Sequence, residues 1–139
     1  MDGAVCRLDK AGSTITVIPW SPEKGRYDPT GVRTFKLTPA TVVTGKPPVT
    51  VGELNSGKAT TDAYKITGCQ NDGGMPFAFE SFKIKNLAQL LHRRATVSWT
   101  VSAATPKADD IQLVNLYAGE SIDCNHFTSD DVILSCEDK

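Results

Sequence analysis

Ala95-Thr96-Val97-Ser98-Trp99-Thr100-Val101-Ser102-Ala103 is the stretch on which the fold turns. Its odd positions carry Ala, Val, Trp, Val and Ala, and its even positions carry only Thr and Ser, so a period of two separates an apolar face from a hydroxyl face. Such alternation belongs to an antiparallel strand with one side on a core and the other in water. It predicts that Val97, Trp99 and Val101 face the core.

Working outward, similar but shorter segments occur at Ala4–Leu8, Thr14–Ile18, Val32–Leu37, Thr41–Val43, Val49–Val51, Ala63–Thr67, Phe77–Ile84, Ile111–Tyr117 and Val132–Ser135. Turn-forming clusters separate them, among them Ser21-Pro22-Glu23-Lys24-Gly25, Asp28-Pro29-Thr30-Gly31 and Gln70-Asn71-Asp72-Gly73-Gly74. Short strands at this spacing predict a mainly β domain over residues 1–139, an antiparallel β-sandwich or barrel. The composition agrees, since 15 Thr, 11 Val and 7 Ile favour sheet while 11 Gly and 8 Pro supply its turns.

Two local departures are expected. In Phe77–Ile84, Phe77 and Phe79 share one parity and Phe82 and Ile84 the other, which predicts a bulge near Glu80-Ser81. One short helix is expected near residues 86–94, where Leu87, Leu90 and Leu91 share a helical face. Asn86 stands there at the N-cap and Gln89 at the capping-box position.

With 139 residues, a net charge of −1, 40% apolar and 22% charged residues, the chain fits one globular domain with a core of its own. No apolar run approaches the ~20 residues of a membrane-spanning helix. The N-terminal residues lack the basic flank and apolar stretch of a secretory signal. Either the protein stays where it is made, or a signal has been removed from a mature domain.

The cysteines bear on that choice. Cys6, Cys69, Cys124 and Cys136 are even in number, and neither they nor His92 and His126 show a metal-binding spacing, so no metal or cofactor is expected and disulfides are. Of the three possible connectivities, Cys124–Cys136 closes a short loop with an Asp-rich middle, and Cys6–Cys69 follows by elimination. Paired cysteines favour a secreted or cell-surface location, with an intracellular or virion location as the alternative.

Catalytic patterns are weak. Gly52-Glu53-Leu54-Asn55-Ser56-Gly57-Lys58 approaches a phosphate-binding loop but is followed by Ala59 in place of Ser or Thr, so a plain loop is the better reading. Cys124-Asn125-His126 supplies nucleophile and base types, but sequence neighbours seldom meet in catalytic geometry. Lys83, Lys85, His92, Arg93 and Arg94 form a basic cluster without exposed aromatics, an argument against nucleic acid. Residues 109–139 hold eight acidic side chains against Lys139 alone, without the spacing of a calcium loop.

These features favour a non-enzymatic secreted or surface binding module that contacts a protein or glycan partner through its loops. Trp20, set between prolines, and the turn Asn71, Asp72, Gly73 and Gly74 are the candidate binding residues. The alternatives are a self-associating structural subunit of a pilus, capsid or tail assembly, and a small enzyme built from scattered residues.

Overall fold

In the computed structural model, residues 1–11, 13–67, 78–101, 105–117 and 122–127 are described, with 63–67, 78–82 and 113–117 described by backbone alone. Ten strands occur among them: β1 (Asp2–Asp9), β2 (Thr14–Ser21), β3 (Arg26–Tyr27), β4 (Arg33–Lys36), β5 (Val42–Thr44), β6 (Val49–Thr50), β7 (Thr61–Thr67), β8 (Ala78–Ile84), β9 (Arg93–Thr100) and β10 (Lys107–Tyr117). The fold class is the expected one. Five strands close a barrel in the order β1-β2-β4-β10-β9 and back to β1. All neighbours are antiparallel except β4 and β10, which run parallel and complete the ring. Strands β5 and β6 extend the sheet beyond β10, β3 extends it beyond β2, and β7 with β8 forms a separate hairpin.

Alternation along each wall strand explains the core. Ile15 and Val17 of β2 point inward and are fully buried beside Phe35, Val97 and Ile111, while Thr14, Thr16 and Ile18 take the outer side. Burying such side chains contributes about 1.5–3 kcal/mol each. In β1 the register slips between Val5 and Arg7, so Val5 faces inward, Arg7 is exposed, and Leu8 returns to the core side. Without that bulge Arg7 would be aimed into the barrel.

One end of the barrel is closed by residues 51–56 and 87–90. Helix α1 (Val51–Ser56) starts at a capping box in which the Thr50 hydroxyl accepts from Glu53 N–H (3.1 Å) and the Glu53 carboxylate accepts from Thr50 N–H (2.9 Å). It ends at Gly57, whose φ of 74° favours a residue without a side chain. Val51 and Leu54 are buried in the main core together with Leu87 and Leu90.

Several expectations need correction. The helical segment near residues 86–94 is one 3-10 turn, Leu87–Leu90, and β9 starts at Arg93. Gln89 does reach back, its side-chain oxygen accepting from Asn86 N–H (3.2 Å), but Leu91 is extended and His92 has a φ of 68°, so the ladder with β1 and β10 takes over. The α-helix instead occupies Val51–Ser56, within the stretch read as a loop. No bulge interrupts β7 and β8, which pair in continuous register from Thr61↔Ile84 to Thr67↔Ala78. A two-stranded ribbon outside the barrel wall does not have to keep one buried face along its whole length. Val97 is fully buried and Trp99 half-buried, but Val101 is 73% exposed because β9 ends at Thr100.

Candidate binding pocket and outer face

The β1–β2 turn, α1 and the 3-10 turn meet at the closed end of the barrel and leave a pocket of about 320 Å3 between them. Leu8, Leu37, Val51, Leu54 and Leu87 form its apolar floor, and Asp9, Lys10, Ser13, Asn55 and Asn86 form an exposed polar rim. Each group owes its place to a local cause. Ser13 adopts a left-handed backbone (φ 53°), held by Leu37 N–H to the Ser13 carbonyl at 2.7 Å, and this turn sets Lys10 and Ser13 at the rim. The α1 capping box fixes the helix start, so that Val51 and Leu54 face the barrel while Asn55 faces water.

Polar valence at the rim is open. Among the described residues, Lys10, Ser13 and Asn55 have side chains without an intramolecular hydrogen bond or ion pair, whereas Asp9 has an interaction of its own. An apolar floor under a few convergent polar groups is the usual construction of a small-ligand site. None of the ten lining residues stood out from sequence as a binding residue: Leu54 and Asn55 entered only through the phosphate-loop pattern, and Asn86 and Leu87 only as helix positions. Their leucines read as ordinary core, and only the three-dimensional meeting of a turn, a helix and a 3-10 turn turns them into a pocket.

A second assembly lies on the outer wall of β1 and β2. Cys6 is disulfide-bonded to Cys124, 118 residues away, with Cα atoms 5.4 Å apart. This overturns both expected pairings, Cys124–Cys136 and Cys6–Cys69. Proximity in sequence misled because the barrel brings residues 122–127 across β1, whereas Cys69 and Cys136 lie outside the described residues. Ile122 is buried there with Ala4, Ile18 and Tyr27, and Cys6, Trp20 and Val32 pack around them. Phe127, still 41% exposed, lies against two cations, the Arg26 guanidinium at 4.1 Å and the Lys24 ammonium at 4.8 Å from its ring centre.

Trp20 belongs to this outer cluster. Its ring meets Tyr27 edge-on at 5.0 Å, and the Arg94 guanidinium sits 5.1 Å from its centre, so it is half-buried rather than projecting from a turn. Asn71, Asp72, Gly73 and Gly74 lie outside the described residues. The basic cluster is partly compensated, with Lys83 paired to Asp62 and Arg94 to Asp2, each at 3.2 Å.

Catalytic geometry does not emerge from the remaining candidates. Cys124 is oxidised, so the His126–Asp123 contact (2.7 Å) has no thiol to activate, and both side chains are exposed. The Asp123 carboxyl lies below its usual range because Asn125 N–H and then His126 hydrogen-bond to it. Gly52–Gly57 forms α1 and its C-terminal cap rather than a phosphate cradle. Among the described residues no group of three His, Cys, Asp or Glu side chains could hold a metal ion, and no helix is long and apolar enough to cross a membrane. Comparison with protein-family models, with curated proteins and with solved structures finds no match for the chain.

Proposed function

We propose that this protein is a non-enzymatic binding module, acting outside the cell or at its surface, whose ligand enters the pocket at the closed end of the barrel. The observation that carries the reading is the pocket itself, a 320 Å3 cleft with a leucine-rich floor and an exposed polar rim. The Cys6–Cys124 bond supports the compartment, since disulfides persist in oxidising surroundings.

Five-stranded Greek-key barrels can bind oligonucleotides or oligosaccharides across the face of their second and third strands. Fold alone does not transfer that function. Here that face carries Thr16 and Thr34, hydrogen-bonded to each other at 3.0 Å, and beside them the wall is covered by residues 122–127. This supports the pocket over the wall as the ligand site.

A fragment screen followed by amide NMR tests the reading. Bound fragments should shift the resonances of Leu8, Leu37, Leu54 and Leu87 together, and Asn55→Trp, which places a ring at the rim, should abolish those shifts. Hits scattered over the surface, or none, would remove the pocket from consideration. Alkylation of thiols during extraction from the source should leave the Cys6 and Cys124 peptides joined; recovery of both as alkylated thiols argues for a reducing compartment.

A further inference from the structure

We infer that the pocket's ligand is an amphipathic anion, a carboxylate carried on an apolar body of about ten non-hydrogen atoms, an inference that rests on reading this pocket as the binding site. Size comes first. At the ~30 Å3 that a water molecule occupies in the liquid, a 320 Å3 space holds about ten heavy atoms. The floor of Leu8, Leu37, Leu54 and Leu87 offers apolar contact, so the part of the ligand seated on it is hydrocarbon.

The charge of the head follows from which rim groups are already engaged. Lys10 is the one cation of the lining, and among the described residues it has no ion pair. Asp9 is the one anion, and it is engaged in an interaction of its own. Asn55 adds an amide that can donate or accept, so Lys10 is the charged lining group without a partner among the described residues, and its ammonium selects a negative head.

Carboxylates on apolar bodies come from two sources, free aliphatic acids and peptide chains that end in an apolar residue. Octanoate represents the first and N-acetyl-leucine the second. Octanol and octylammonium control for the hydrocarbon and for the opposite charge. Calorimetry and amide NMR on the intact oxidised protein should give a dissociation constant on the order of 1 mM for at least one of the two acids, as expected for so few atoms. That acid should bind about fivefold tighter than octylammonium, the scale of one solvent-exposed ion pair. Lys10→Glu, a change on an exposed turn, should reverse the preference between that acid and octylammonium.

Octanol or octylammonium binding as tightly as both acids would overturn the inference about charge and leave the pocket reading standing. So would unaltered acid binding in Lys10→Glu. Failure of all four probes, together with a fragment screen that leaves the pocket resonances unmoved, would overturn both. Preference for octanoate over N-acetyl-leucine identifies the free acid as the source, and the reverse identifies a peptide terminus.

Discussion

Phe35 and Trp99 touch at 5.4 Å, yet their energetic weights differ. Phe35 is fully buried, whereas Trp99 is half-buried with the Arg33 guanidinium 5.2 Å from its ring centre. Phe35→Ala should therefore cost about 3–5 kcal/mol in urea unfolding, Trp99→Ala about 1–3 kcal/mol, and Val101→Ser less than about 0.5 kcal/mol. A Trp99→Ala loss equal to that of Phe35→Ala would place the indole deep inside the barrel. Among the described residues Asp28 is the carboxyl that its neighbours lower most. Its carboxyl is lowered from 3.8 to about 2, first by the Lys24 ammonium at 2.8 Å and then by the Thr30 hydroxyl and N–H. A depressed acid of this kind contributes stability above its unfolded value of 3.8, and the contribution is lost as pH falls through about 2. Carboxyl 13C titration should find Asp28 near 2, and Lys24→Met should raise it; a value of 3.8 in the unmutated protein would mean that the contacts are absent in solution.

At the scale of elements, residues 122–127 act as a strap whose main fastening is Cys6–Cys124. A cross-link spanning 118 residues restricts the unfolded chain strongly, and on the chain-entropy model its removal costs about 4–5 kcal/mol. Cys6→Ser with Cys124→Ser should lower the urea midpoint accordingly. It should also increase dye binding, because the apolar surface around Ile18, Trp20 and Tyr27 loses its cover. No change in dye binding would show that Ile122 and Phe127 hold the strap unaided. The strap was not legible in the sequence, since periodicity places residues on faces but says nothing about which distant segment covers a face. The strands were legible because each needed only a local alternation, as in Thr14–Ile18, observed as Thr14–Ser21. Helix α1 was legible in principle through Thr50-x-x-Glu53 and Gly57, but six residues give too little apolar periodicity to outweigh a glycine-rich appearance. The surroundings of Trp20 were not legible for a related reason: its flanking prolines mark a turn, while Tyr27 and Arg94, which hold its ring, come from other strands.

Across the whole molecule, closure depends on a narrow seam. β4 meets β10 in register at Lys36↔Lys107 alone, reinforced by Lys36 N–H to the Pro106 carbonyl at 2.8 Å, whereas the other four junctions of the ring each pair three or more positions. The seam also joins segments some 70 residues apart, so its loop-closure entropy is recovered only once the rest of the wall is in place. It should be the first junction to open. Lys36 and Leu37 offer a comparison between adjacent amides, because Lys36 N–H bonds across the seam and Leu37 N–H bonds to the Ser13 carbonyl on the β2 side at 2.7 Å. Native-state hydrogen exchange should give Lys36 the lower opening free energy, with Leu37 nearer the global value. Saturating the pocket with a ligand should raise the protection of Leu37, which lines it beside Ser13, and leave Lys36 nearly unchanged, because binding stabilises only openings that disrupt the site. Equal protection of the two amides, rising together on binding, would show that the barrel opens as one cooperative unit and that the seam is as strong as the rest of the wall.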